Sequence, residues 1–313
     1  MSNFAEDTES QQLEALQKDA DFSQPLRRVA YEAGMLLGLE ATRDEQSYHR
    51  RRLSRHQYWL EGHGTLAGML VAIDPATAAN DDPTTTRITV SPGIGIDGLG
   101  REIFIHEAYA IDLGDWLKVQ NITELEEGYD DVNNLLWLKI TVRYQEVPVG
   151  LQPVLARKLN LSTDAVEPSR MADSILLELI PELPPAVETR YAPWAAHGPL
   201  ADATPAGLSA AETAYLNQVT AGNAAAGAQL QLQARLLHSL QESGLTTHLA
   251  ADQLEEGSRI LLARMAIEIA DLNSILNASE NQQVVNPNLI SVNNLVRPFL
   301  LTASQLGYLS TQV

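Results

Sequence analysis

Between Pro181 and Pro205 the chain carries six prolines, Pro181, Pro184, Pro185, Pro193, Pro199 and Pro205, with Trp194 among them. Proline has a fixed φ and no backbone N–H, so this stretch can be neither regular helix nor central strand. The fold is therefore expected in two parts, one on each side. The length of 313 residues suits that division, because a chain of this size usually makes two domains, or one with large additions.

Upstream, residues 42–62 read as a helix. Thr42 can cap it, Asp44 and Glu45 suit its first turn, Gly62 ends it and no proline interrupts it. Residues 65–73 are a short apolar run, followed over 74–86 by a loop of Ala, Asp, Pro and Thr. Residues 87–90, 93–97 and 101–106 bunch β-branched side chains around Pro92-Gly93 and Asp97-Gly98, the pattern of short strands joined by tight turns. Residues 135–147 and 173–180 read as two more strands, with a long connection over 151–169. Downstream, 209–243 and 251–277 have apolar residues at three- and four-residue spacing with Gly244 between them, which argues an antiparallel helical pair. The small residues of 221–228 either break the first of these helices or let it pack closely. Residues 9–19 allow a short helix carrying Leu13 and Leu16.

The fold class expected is α+β: an N-terminal β-rich domain with one embedded helix, followed by a C-terminal mostly helical region. Its parts are an N-terminal arm (1–28), the β-rich domain (29–182, with the helix at 42–62), a Pro-rich linker (183–207), a helical hairpin (208–280) and a C-terminal docking tail (281–313).

With 40 acidic against 21 basic side chains, the net charge of -19 repels phosphate backbones and anionic lipid alike. Neither nucleic-acid binding nor membrane insertion is expected. The first 21 residues are polar and acidic, without the apolar core of a signal peptide, and no uncharged run approaches the roughly 20 residues that span a bilayer. A product made and kept in the cytosol is the corresponding expectation. The absence of cysteine removes disulfides, thiolate nucleophiles and Cys-type metal sites.

Several patterns invite a chemical reading. Gly93, Gly95 and Gly98 fit G-x-G-x-x-G, but the residues after them read as a strand, and without a following helix there is no N-terminus to hold a pyrophosphate. A glycine-rich hairpin accounts for them. His49, His56 and His63 recur every seven residues. On one helix their rings stand roughly 10 Å apart, too far to share a metal, so backbone bonding or a partner contact is the expected use. Arg50, Arg51, Arg52 and Arg55 form a basic cluster beside Tyr48, Tyr58 and Trp59. In so acidic a chain, pairing with carboxylates within the protein or across a subunit contact is favoured over nucleic acid. The run Glu124, Glu126, Glu127, Asp130 and Asp131 is a candidate partner for that cluster, or a solvated loop. It lacks the spacing of a calcium hand. No G-x-S-x-G elbow and no H-E-x-x-H helix occurs, so no enzyme, no cofactor and no metal site is expected.

Three ordered segments carry a resemblance: Tyr31-Glu-Ala-Gly34-Met-Leu-Leu-Gly38, then Asp44-Glu45-Gln46-Ser-Tyr48-His49-Arg50-Arg51-Arg52-Leu53, then Gly62-His63-Gly64-Thr-Leu-Ala-Gly68. A fourth is Val90-Ser-Pro92-Gly93-Ile-Gly-Ile-Asp97-Gly98-Leu-Gly100-Arg101-Glu-Ile103. Together they resemble a domain found in baseplate and tail-fibre-associated proteins of contractile phage tails and related contractile injection systems. That family shows "G-x-L-L", "E-Q-x-Y-H-R-x-R-L", "H-G-x-G-x-x-x-G-L" and "V-x-P-G-x-A-x-D-x-x-G-R-x-I" in this order. Here Met69 stands where the pattern has Leu, and Gly95 where it has Ala; the resemblance covers about a quarter of the chain and nothing beyond residue 110.

The resemblance implies a structural component of a virion tail or injection-system particle, at the baseplate periphery or where a fibre or spike attaches. Its partners would be copies of itself, as a trimer or higher ring, and other baseplate or tail proteins. The residues implicated are Tyr48, His49, Arg50, Arg51, Arg52 and Arg55 on the helix, His63 and Gly64 at its exit, and Gly93, Asp97, Gly98, Gly100 and Arg101 in the hairpin. A competing expectation is a receptor- or carbohydrate-binding fibre module, with Trp116, Trp137, Tyr144 or Trp194 as stacking faces. A wall-polymer hydrolase would need two carboxylates at a fixed separation, and the many acids here single out no pair.

Overall fold

The structure is a computed structural model that describes residues 26–34, 36–77, 83–153, 166–188, 208–243, 251–269, 271–273 and 287–310. It divides into two compact units, each discontinuous in sequence: residues 1–48 with 190–255, and residues 49–189 with 256–313.

In the first unit, Val29 N donates to Glu45 Oε2 at 3.0 Å, and two consecutive helices, Ala210–Gly222 and Ala224–Ser243, pack on each other. Ser209 and Glu212 close a capping box at the start of the former. The small-residue stretch breaks the helix at Asn223. Its side chain accepts from Ala225 N at 3.0 Å and Ala226 N at 3.2 Å, and so starts the next helix. The expected helix over 9–19 lies outside the described residues.

The second unit is built from antiparallel strands. Helix α1, Leu39–Glu61, belongs to this unit from His49 onward and leads by way of Gly62 into β1, Gly64–Gly68, which pairs with β4, Gly93–Ile96, itself paired with β5, Glu102–Ile105. A second sheet joins β2, Val71–Thr77, to β3, Pro83–Val90, and to β6, Tyr109–Asp112. The short helices α2, Leu113–Val119, and α3, Ile122–Glu126, follow; Asp112 and Asn121 cap them. The third sheet has the order β11-β10-β8-β7, with β9 also paired to β8. Its members are β7, Tyr129–Asp130; β8, Leu135–Pro153; β9, Val166–Pro181; β10, Arg259–Glu268; and β11, Ile290–Asn293.

The expectation of a mostly helical C-terminal region is overturned by β10. Beyond these helices the chain forms a short helix over Ala251–Gly257 and then enters the sheet as β10, between β8 and β11. Ile260, Leu262, Ala263, Met265, Ala266 and Ile267 are all buried, so both faces of the strand are covered. A strand buried on both faces loses its alternation, and its apolar run cannot be told from a helix by periodicity. A bulge between Leu261 and Ala263 in the pairing with β8 adds to the irregular spacing. Among the described residues, strands and not helices dominate the fold.

The core gathers Leu136, Leu138, Ile140 and Val142 of β8 and Ile260, Leu262, Met265 and Ile267 of β10 with Ile88, Val90, Ile103, Ile105, Leu113 and Leu117. Burying each of these aliphatic side chains contributes about 1.5–3 kcal/mol. Among the described residues, no helix is long and apolar enough to cross a membrane.

Candidate functional site

Two of the segments that carry the resemblance, 62–68 and 90–103, meet where β1 pairs with β4 and β4 with β5, beside the end of α1. Asp97, in the β4–β5 turn, is fully buried. Its Oδ1 accepts from Leu99 N at 2.9 Å and Arg101 N at 2.8 Å, and Oδ2 accepts from Arg101 Nε at 2.7 Å. Burial pushes the Asp97 carboxyl above its ordinary range, against the opposing pull of the Arg101 charge and hydrogen bonds. The Arg101 guanidinium also lies over the ring of Tyr144, 5.3 Å from its centroid.

The turn must come close to the helix. Gly100 has φ +78°, and a Cβ there would lie 2.0 Å from the Ser54 carbonyl oxygen of α1. Only glycine allows both the left-handed backbone and the contact. Gly64, at φ +132°, is constrained in the same way, since a Cβ there would lie 2.5 Å from the Pro298 carbonyl oxygen. Gly98 N donates to Gly257 O at 2.7 Å, and Gly93 sits opposite Gly68 and Ile105 in the sheet.

Residues 294–300 close the other side. Thr65 N donates to Pro298 O and Leu300 N to Thr65 O, both at 2.9 Å. Asn294 accepts from Val71 N at 3.0 Å and donates to Val71 O at 2.9 Å. Arg297, almost fully buried, donates to Met69 O at 2.8 Å and Asn294 O at 3.0 Å. Burial pushes its pKa down to about 10. The expected docking tail thus belongs, over these residues, to the same unit as the β4–β5 hairpin. Asn294 and Arg297 were missed in the sequence; the only signal is a polar pair in an apolar stretch.

The helix residues divide by face. Tyr48, Arg51 and Arg55 are partly buried, Ser54 and Tyr58 are buried, and His49, Arg50, Arg52 and His56 are exposed. His63 is partly buried beyond the helix end. The side chain of Trp59 lies outside the described residues. Arg50 Nη1 is 4.0 Å from Glu146 Oε1, whereas the acidic run, the other candidate partner, makes local turns. Asp130 there accepts from Val132 N and Asn133 N at 3.0 and 3.2 Å.

Two further clusters lie on the five-stranded sheet. Arg264, nearly buried, bridges Glu188 at 2.7 Å and Glu182, with Lys139 placed between Glu182 and Glu256. Partial burial raises the Glu182 carboxyl, but the hydrogen bond from Arg264 and the charges of Lys139 and Arg264 outweigh it and hold the group below its ordinary value. The Tyr144 hydroxyl donates to Asp173 Oδ1 at 2.6 Å, with Glu146 Oε1 at 3.2 Å. Burial and these carboxylates push the phenol up. A shallow recess of about 430 Å³ lies beside Arg264, lined by Trp137, Pro184, Pro185, Glu188 and Asn293 among others. Trp116 is partly buried, and Trp194 lies outside the described residues.

Among the described residues, no three His, Asp or Glu side chains are grouped to hold a metal ion. No protein-family model matches the chain, and no curated protein matches it.

Proposed function

We propose that the chain is a non-catalytic structural component of a phage tail or contractile injection system, at the baseplate periphery or a fibre or spike attachment, acting through contacts between subunits. The observation that carries this is the use made of the motif residues. Asp97, Arg101, Gly64 and Gly100 bind backbone to backbone and helix to hairpin, and the one carboxylate among them is spent on the turn and on Arg101. A motif of this kind builds a rigid block on which an outer surface is presented. The resemblance supplies the kind of assembly, and a homo-oligomer, trimer or higher ring, follows from the rotational symmetry of such particles. The chain is made in the bacterial cytoplasm and ends in the particle. Quantitative mass spectrometry of purified tail or injection particles from the producing cells tests this. The chain is expected at a copy number divisible by three; its absence from intact particles would refute the reading.

A second reading, a carbohydrate-binding fibre module, is favoured by the recess beside Trp137, where an indole and two prolines stand next to Glu188 and Asn293. Aromatic faces with adjacent polar groups suit sugars. A glycan array in which Trp137→Ala abolishes binding would support it, and an array without hits would remove it.

A further inference from the structure

On the five-stranded sheet, Lys139 of β8 and Arg264 of β10 stand directly opposite each other in the ladder. Both are nearly buried, with side chains 9% and 3% exposed. Like charges in that position repel and weaken a sheet, so carboxylates must answer them. A second opposed pair, Arg143 and Arg259, lies further along the same two strands. It is answered from inside the sheet, by Glu178 of β9 at 3.4 and 2.9 Å. The carboxylates on Lys139 and Arg264 come from elsewhere. Arg264 Nε is 2.7 Å from Glu188 and its Nη2 bonds Glu182, while Lys139 Nζ is 2.8 Å from Glu256 and 3.5 Å from Glu182. Since β9 ends at Pro181, Glu182 and Glu188 lie on the chain's way out of this unit, which it leaves after residue 189; Glu256 is the first residue of its return.

We propose that these five side chains are a clasp. The sheet supplies two opposed cations, and these hold side by side the two chain ends between which residues 190–255 are inserted. Glu182 joins the halves of the clasp because it touches both cations. The sheet itself does not need the charges: an apolar pair at 139 and 264 would fill the space with no desolvated ion, and exchanges of that kind leave stability near neutral. What the cations add is the placement of the two ends, and a fold accepts an insertion most readily where its ends are held close. The clasp stands whether or not the chain assembles into a ring. At Glu182 the backbone is fixed as well, its N–H donating to Trp137 O and its carbonyl accepting from Arg264 Nη1, both at 3.2 Å. The share of the clasp alone is therefore read at Glu188 and Glu256.

A glutamate-specific protease reads it on the full-length chain, because it must take hold of the clasped carboxylates to cut beside them. Arg264→Met is expected to raise cleavage after Glu188 roughly tenfold and to leave cleavage after Glu256 as in wild type; Lys139→Met is expected to do the reverse. Cleavage after Glu178, inside β9, should stay slow in both, with melting temperatures within about 4 °C of wild type. That crossed pattern separates a clasp from a general loss of stability, which would open all three sites together. Unchanged cleavage after Glu188 and Glu256 overturns the proposal. So does acceleration at Glu178 along with them, the result that a variant unable to fold would give.

Discussion

Exchanging Asp97 for asparagine keeps the shape of a buried side chain and removes one charge. The amide oxygen of the new side chain can still accept from Leu99 N and Arg101 N, as Oδ1 of the aspartate does at 2.9 and 2.8 Å. The other oxygen, 2.7 Å from Arg101 Nε, is replaced by an NH2 group that donates toward a donor. The Arg101 guanidinium, on a side chain 13% exposed, loses its carboxylate. Breaking a buried ion pair from one side costs about 3–5 kcal/mol, and the partial exposure of Arg101 and its place over Tyr144 put the loss near the lower end. At about 2–4 °C per kcal/mol for a unit of this size, the melting temperature should fall by roughly 6–12 °C. Differential scanning calorimetry of wild type, Asp97→Asn and Asp97→Asn with Arg101→Met reads this directly. The double variant should recover part of the loss, since no unpaired charge remains. A variant melting within about 1 °C of wild type would refute the assignment of Asp97 as the pin of the hairpin.

Gly100→Ala should destabilise the fold by about 2 kcal/mol or more, whereas Gly307→Ala, in a helix and with nothing within 4 Å of the added methyl, should stabilise by up to about 1 kcal/mol; urea unfolding measures both. Ile140→Ala, in the centre of β8, should cost about 2–5 kcal/mol, while Leu295→Ala, at a side chain 83% exposed, should change stability by less than about 0.5 kcal/mol. The lowered pKa of Glu182 makes its contribution present above the unfolded value of 4.5 and lost as pH falls through the folded one. Glu182→Gln should therefore flatten the acid side of a melting-temperature profile recorded from about pH 3 to about pH 7, and an unchanged acid limb would contradict the role given to the Arg264 cluster.

The front of the fold could be read from sequence where local chemistry decides it. Thr42 to Gly62 encodes a helix whatever surrounds it, and the structure starts it at Leu39 and ends it at Glu61. Pro92-Gly93 and Asp97-Gly98 mark turns, so the β4–β5 hairpin followed from them. The back half failed because β10 is decided by tertiary pairing: its ladder partner, β8, is more than a hundred residues away, and burial on both faces removes the alternation that marks a strand. The strands β8 and β9 were read too short for a different reason. The sequence places a connection over 151–169, but β8 beyond Arg143 has left β10 and runs on as a two-stranded ribbon with β9, and Pro148, Pro153 and Pro168 are tolerated there because a strand edge is free. The candidate residues were located as a motif, yet their use was hidden. Nothing in Asp97-Gly98 distinguishes an exposed turn from a buried one, and the contribution of Asn294 and Arg297 depends on contacts more than two hundred residues apart.

The claim that this chain acts as a repeated subunit is tested most directly by the mass of the purified full-length protein, measured by multi-angle light scattering across protein and salt concentration. The account predicts a stable species of three or more chains, each of 34.2 kDa. A monodisperse species of one chain under every condition would contradict it.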